Sequence, residues 1–524
     1  MTEKLRIALL THSVLPRGGV VHTLELAEAL HARGHAVTVL APAEPGQQLF
    51  RTTSCEVALL PLPEVTGDLV QQVGQRIAGL ERGLPALLRG RFDLLHAQDS
   101  LSGNALATLR RRCPDLPAWV RTVHHLDSFA QPQLAQWQQR AWQAADAVAC
   151  VSDTWCERLL REHGQRAARM FNGVNLERFQ SGAVAGDAGQ LAALGLLDDA
   201  PICLAVGGVE QRKNSVRLLQ AFGALRANDP AWADARLVIA GGASLLDHSS
   251  ALRGWQAALA ALGLTEGPGA PVLRLGAVED AALPALMRRA RLLAMPSLVE
   301  GFGLVALEAL ACGTPVLVSR RAPFTEHLAG TPAVAWCEPE DVSSIARGLQ
   351  QAALAQRLHQ PPPVCVAHSW ARSAALHEGW YQRVLQRRVL RTGVSRADQA
   401  ERDALSCDIP SRTRTHRSHH ARHALHRPLA RRQRDHLLLA FAGDPGLLCA
   451  AAGLPAARVP APPARSHGHC QRARAGQVRL HLLACQRPAR RHRAPRRGLR
   501  ANAGSQRSTA GFRPGRLRRL FNRL

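Results

Sequence analysis

The sequence predicts an α/β protein built from two doubly wound parallel sheets. Three observations carry that expectation. Short apolar runs recur along the chain with helix-length stretches between them, the pattern of parallel strands joined by crossover helices. Glycines stand at several points where an apolar run gives way to a helix. Of the formal net charge of +26 on 524 residues, +22 falls after residue 391, so the sheet-forming part is almost neutral.

Residues 5–10 read as the first buried strand, and Val20, Val21, Leu24, Ala27 and Leu30 then form a helical apolar stripe that Gly34 ends. Gly18 and Gly19 open that helix, where missing side chains let a ligand approach the backbone and the positive helix end. The next strand is 36–40. The G-x-G-x-x-G spacing of a dinucleotide site is absent. Residues 92–97, 119–123 and 147–151 continue the strand series. Ligands of such sheets sit beyond the carboxyl ends of strands, and R-T-V-H-H-L-D puts His124, His125 and Asp127 at one of them. Asn172, Gly173, Val174 and Asn175 suit a sharp redirection between domains.

A second series starts at 202–206, with a helix through Leu218 and Phe222. The loop between them, G-G-V-E-Q-R-K-N-S, offers Arg212 and Lys213, cations suited to a diphosphate. Lys213 is one of only two lysines in the chain. Strands at 236–240 and 272–275 follow, trailed by Gly241, Gly242 and Gly276. Residues 369–390 form a last helix whose stripe is Trp370, Leu376, Trp380 and Leu385.

Between these lies M-P-S-L-V-E-G-F-G-L-V-A-L-E-A-L-A-C-G-T-P-V-L-V, residues 295–318. An apolar approach is followed by a loop with Glu300, Gly301, Phe302 and Gly303, a helix from Leu304 to Cys312, a stop at Gly313, and a strand. Glu300 thus lies where a loop meets the unpaired N-H groups of a helix start. Glu308 lies inside the helix among Val305, Ala306, Leu307, Ala309, Leu310 and Ala311. A carboxylate in that company needs a partner, and the hydroxyls of a polar ligand are one.

The string P-S-x-x-E-G-F-G-L-x-x-L-E-A-x-A-C-G-T-P-V resembles the E-x7-E signature of retaining glycosyltransferases of family 4 (glycosyl transferases group 1). The resemblance covers residues 5–390. It implies the GT-B fold, two Rossmann-like domains facing a cleft: 1–175 on the acceptor side, 176–368 holding the nucleotide-sugar, and 369–391 as a helix returning to the first domain. It implies donor contacts at Gly18, Gly19, Arg212, Lys213, Glu300, Gly301, Phe302, Gly303, Leu304 and Glu308, with His124, Glu300 and Lys213 catalytic. Glu308 would hold the ribose, Glu300 and the backbone of 302–304 the transferred sugar, and Lys213 the leaving diphosphate. His124 matches the family's histidine beside that sugar, with His125 as the alternative register. The family's phosphate-loop arginine is replaced here by Gly208, which leaves Arg212 as the substitute. The implied reaction moves a sugar from a nucleoside diphosphate to an acceptor hydroxyl and demands no metal or cofactor. A GT-B epimerase or phosphorylase is the alternative within enzymes.

The segment 392–524 carries 28 arginines, no lysine and six acidic residues, and its Arg, His, Pro and Ala recur without period. It is expected to be disordered, either as a basic interaction tail or as GC-rich sequence translated out of frame. A tail-driven nucleic-acid or membrane binder is the rival from another class. Nucleic acid is not expected as a partner of the two sheets, whereas peripheral contact with the inner membrane face is compatible with the basic tail. The 12 cysteines contain no C-x-x-C pair, and no run approaches the roughly 20 apolar residues of a membrane span. The expected location is cytoplasmic.

Overall fold

A computed structural model describes residues 3–196, 198–242 and 248–392; the tail and everything expected of it lie outside the described residues. The first sheet contains β1 (Arg6–Leu10), β2 (Ala36–Ala43), β3 (Glu56–Pro61), β4 (Leu94–Ala97), β5 (Ala118–Val123), β6 (Ala147–Cys150) and β7 (Ala168–Arg169), in the order 3-2-1-4-5-6-7. The second contains β8 (Ile202–Val206), β9 (Arg236–Ala240), β10 (Val272–Gly276), β11 (Leu292–Met295), β12 (Val316–Ser319) and β13 (Val334–Cys337), in the order 10-9-8-11-12-13. All pairings between these strands are parallel.

Both sheets are doubly wound because their central strands bury side chains on both faces. On β1, Ile7 and Leu9 pack with Leu24 and Leu30 of the helix Gly18–Ala32, while Ala8 and Leu10 pack with Leu80 and Leu84 of the helix Leu69–Leu88. Each sheet reverses winding direction beside its first strand, between β1 and β4 and between β8 and β11. Ligand crevices form at such points, at the carboxyl ends of the strands.

The last helix, Trp370–Thr392, packs on the helix Gly18–Ala32 of the first sheet. Its buried face differs from the apolar stripe expected from sequence. Trp370 and Trp380 are buried, but Leu376 is 43% exposed. The positions that face inward include Ser373, Ala374, His377, Glu378 and Tyr381. Several of their partners are polar groups of the first lobe, beside the apolar cluster that Ala374 and Tyr381 join. Tyr381 Oη lies 2.7 Å from His96 Nδ1, whose Nε2 lies 2.7 Å from Thr122 Oγ1, and Glu378 accepts from Arg33. Burial holds the His96 imidazole neutral. Tyr381→Phe should therefore leave His96 one bond short and cost about 1–3 kcal/mol. A urea-unfolding midpoint unchanged from wild type would contradict this.

The chain crosses between sheets twice, side by side. Val174 pairs with Ser369 in an isolated parallel bridge, and Val174 N donates to His368 O at 2.8 Å. Gly173 is required there, since a Cβ would collide with the backbone of Trp370.

Candidate active site

The loop after β8 is shaped by two glycines and an asparagine in left-handed conformation: Gly207 at φ 125°, Gly208 at φ 70° and Asn214 at φ 61°. Asn214 is tied down by its side-chain amide, which donates to Pro296 O at 2.9 Å and Pro339 O at 2.5 Å. A Cβ on Gly207 would lie 2.9 Å from Lys213 Cε, so glycine lets the lysine side chain cross above it. A Cβ on Gly208 would lie 3.0 Å from the carbonyl of Gly242, and its positive φ is strained for any other residue. An arginine at this position would be strained and crowded.

Arg212 and Lys213 are neighbours in sequence, yet both reach the same carboxylate. Lys213 Nζ lies 2.7 Å from Glu300 Oε2 and Arg212 Nη1 3.5 Å from Glu300 Oε1. Arg212 also meets Glu210 at 3.3 Å. Burial alone would raise the Glu300 pKa, but Lys213, Arg212 and the Gly301 N-H outweigh it and bring it to about 2. Glu300 is thus ionised throughout the neutral range. Ser297 Oγ, 3.3 Å from Glu300 Oε2, and Trp155 Nε1, donating to Glu300 O at 3.0 Å, fix the loop from either side.

The helix Leu304–Ala311 begins at Gly303, whose φ of 87° turns the chain into the first helical residue. The N-H groups of Leu304 and Val305 have no partner among the described residues, as a helix start dictates. The Phe302 side chain is turned inward, 4% exposed and stacked on His327 with ring centroids 4.7 Å apart. Only its backbone faces the loop. A cavity of about 590 Å³ lies beside Phe302, His327 and His368, and Lys213, Glu300 and Glu308 do not line it.

Glu308 is buried and apart from this pair. Its carboxylate makes no hydrogen bond or ion pair among the described residues; its charged surroundings are Arg178, Glu25, Arg51 and Asp280. Burial, only partly offset by Arg178, pushes its pKa up to about 7. The folded chain therefore keeps a proton between pH 4.5 and 7 that the unfolded chain has released, and stability falls as pH rises through that window. Glu308→Gln should flatten the fall, by about 3 kcal/mol between pH 4 and 8. Equal pH slopes for the two proteins in urea titrations would refute it.

Across from these groups stands the end of β5. His124 Nε2 lies 3.2 Å from Gln98 Oε1, and its ring packs edge-on against His22 at 4.6 Å. Burial and then His22 and Arg121 hold its pKa well below the ordinary value, so the imidazole is neutral at pH 7. The two lobes touch here: a Cβ on Gly301 would lie 2.5 Å from His124 O. His125 turns elsewhere, with Nε2 3.4 Å from Asp127 Oδ1. Gly18 and Gly19 open the helix beside His124, and neither has a positive φ. A Cβ would meet nothing at Gly18 and only His124 Cδ2, at 3.9 Å, on Gly19. The protein itself does not demand glycine at either position.

Sequence reading did not find Glu25, Arg51, Arg178 and Asp280 around Glu308. They come from separate segments, joined by Arg51–Glu25 and Arg178–Asp280 ion pairs of 2.7 Å each, and no local spacing announces them. Among the described residues no group of three or more His, Cys, Asp or Glu side chains is placed to hold a metal ion. No described helix is long and apolar enough to cross a membrane.

Two family models match the chain, one described as Glycosyltransferase Family 4 over residues 16–178 and one as Glycosyl transferases group 1 over residues 190–360. The D-inositol 3-phosphate glycosyltransferase of Xylanimonas cellulosilytica is 31% identical over 58% of this chain and 75% of its own length. The corresponding protein of Salinispora arenicola is 34% identical, over 52% of this chain and 63% of its own length, so the match spans less than two thirds of that relative. The phosphatidyl-myo-inositol mannosyltransferase of Mycobacterium leprae is 30% identical over 60% and 78%. Among solved structures, the sucrose-phosphate synthase of Thermosynechococcus elongatus superposes with a TM-score of 0.58 at 22% identity, over 72% of this chain and 98% of that one. Anabaena HepE, solved with UDP-glucose, superposes with a TM-score of 0.51 at 17% identity, over 77% and 99%. These two likenesses are of fold.

Proposed function

The chain belongs to the glycosyl transferases group 1 family, and from that premise we propose that it moves a sugar from a nucleoside diphosphate to an acceptor hydroxyl with retention at the anomeric carbon. The observation that carries this reading is the convergence of Lys213 and Arg212 on Glu300 at the start of the helix Leu304–Ala311. Without a donor, Glu300 shares its single negative charge between the two cations, and Glu210 also meets Arg212. A bound diphosphate would take over Lys213 and Arg212 and free Glu300 to accept hydrogen bonds from the sugar hydroxyls.

In this reading the cations offset the charge that builds up as the diphosphate departs, the role a metal ion plays in other transferases. The unpaired N-H groups at Leu304 and Val305 add to them. Glu308, ionised once hydroxyl donors reach it, holds the ribose. His124, neutral and directed by Gln98, contacts the transferred sugar from the other lobe, and the attack comes on the face the diphosphate leaves, with a departing phosphate oxygen taking the acceptor proton. The Anabaena neighbour was solved with UDP-glucose, which supports a nucleotide-sugar donor. A cytoplasmic location suits such a donor.

The test is a thermal-shift panel of UDP-, GDP- and ADP-sugars on the wild type and on Glu308→Ala. One donor should stabilise the wild type, by about 2.7 kcal/mol at a concentration 100 times its Kd, and the mutant should lose that response. Equal responses of both proteins to every donor would overturn the assignment. Gly19→Ala gives a second check. The added methyl meets almost nothing in the protein and favours the helix, so stability should hold or rise. Turnover should drop on the order of 10²-fold, because the methyl occupies space a substrate needs. Full activity in Gly19→Ala would show that no substrate approaches this helix start.

A further inference from the structure

A helix start in the first lobe takes its cap from the second. The helix Asp153–His163 begins after Ser152, whose hydroxyl is buried without a partner and does not cap it. The N-H groups at such a start need an acceptor. Glu326, on the helix Phe324–His327 of the second lobe, supplies one. Its Oε2 accepts from Asp153 N at 3.0 Å and its Oε1 from Thr154 N at 2.9 Å, and the Thr154 hydroxyl donates to Oε1 as well. A carboxylate there also meets the positive end of the helix dipole. The Asp153 carboxylate, which would repel it, pairs with Arg169 at 3.3 Å.

The next residue reaches across in the other direction. Trp155 is 3% exposed and shares a core cluster with Phe302, Leu307 and Phe324 of the second lobe. Its indole N-H, the ring's single polar group, donates to Glu300 O at 3.0 Å. One helical turn thus holds the loop at Glu300 and, through Glu326, the segment whose Phe324 ring closes on Gly303. With its carbonyl held from the first lobe, Glu300 has its carboxylate left to face Lys213 and Arg212. The helix Leu304–Ala311 needs no such help, because Ala306, Leu307, Ala309 and Leu310 are fully buried. Parting of the lobes would break both cross-lobe contacts together, loosening Glu300 while leaving that helix in place.

We propose that Trp155 and Glu326 are positioning residues for sugar transfer: the first turn of the helix Asp153–His163 sets the Glu300 carboxylate for the sugar, so the donor site is complete only when the lobes meet. The proposal rests on the sugar-transfer reading above and adds two residues that act through Glu300 rather than on the donor itself. Lys213 and the N-H groups at Leu304 and Val305 hold the diphosphate without this turn. The grip on the sugar depends on it.

The experiment compares two dissociation constants by thermal shift on the full chain. One is for whichever of UDP-, GDP- or ADP-glucose stabilises the wild type, the other for the corresponding nucleoside diphosphate. Trp155→Phe keeps an aromatic ring in the core and removes the N-H. It should weaken the nucleotide-sugar about 10-fold and the bare diphosphate by less than about 3-fold. Glu326→Ala, at the surface, should change the ratio of the two constants about 3-fold in the same direction. Leu160→Ala, on the exposed side of the same helix, should match the wild type. A residue that only stabilises the fold would move both constants together or neither, and either result in Trp155→Phe overturns the proposal. If Trp155→Phe does not fold, Glu326→Ala decides, and an unchanged ratio there overturns it. A donor response in the wild type with variants that match it shows that the positioning role alone has failed, whereas no response to any donor removes the sugar-transfer reading as well.

Discussion

Lys213→Met should lower kcat/KM by about 10²- to 10³-fold, the effect of removing one preorganised charge from a developing anion. Most of the loss should fall on kcat, because in the proposed reaction the lysine's work is greatest when the diphosphate carries its full departing charge. Methionine keeps the apolar stem that passes over Gly207, so the loop has no new gap to fill. The substitution also strips Glu300 of its nearest cation, 2.7 Å away, and leaves it with Arg212 at 3.5 Å. Its carboxyl pKa should then rise from about 2, since burial pushes it upward and Lys213 is the largest opposing influence. Steady-state kinetics with a donor found in the thermal panel would check the first statement. A variant with wild-type kcat would remove Lys213 from the chemistry.

Gly303→Ala should cost about 2–5 kcal/mol of stability, summing the strain of a left-handed alanine and the overpacking of a full core. Gly303 has φ 87°, and a Cβ would run into the ring of Phe324, which is 1% exposed. The damage should extend beyond stability. Either the helix start swings away from Lys213, or Phe324 moves and disturbs the core cluster that it shares with Phe302 and Leu307. Urea unfolding followed by tryptophan fluorescence would measure the loss. An unchanged midpoint would mean the turn tolerates a side chain, and with it that glycine there is not structural.

Most of the strands that could be read from sequence lie inside the sheets, with β10 at an edge as the exception. β1, β4, β5, β6, β8 and β9 are short apolar runs buried on both sides, and their composition reveals them. β3 is different. Its residues Glu56–Pro61 lie at the sheet edge, half in solvent, and E-V-A-L-L-P carries no comparable signal. The last helix was legible as a helix, but its buried side was not, because that side is set by polar partners hundreds of positions away: His96 for Tyr381 and Arg33 for Glu378.

The residues of the candidate site divide in the same way. Glu300, Gly303 and Glu308 stand in one continuous stretch whose spacing is visible. Adjacency in sequence does not dictate that Arg212 points with Lys213, and it is Glu300, from another segment, that draws both.

The seating of the final helix on the first sheet has a consequence for biosynthesis. As the chain leaves the ribosome, the first lobe emerges with the berth for Tyr381 and His377 vacant, and it stays so until every strand of the second sheet has been made. A berth lined with leucines would be adhesive during that wait. Here leucines such as Leu24 and Leu30 share the berth with His22, His96 and Thr122, and that polar part can be wetted in the interim and dried only when the late helix docks.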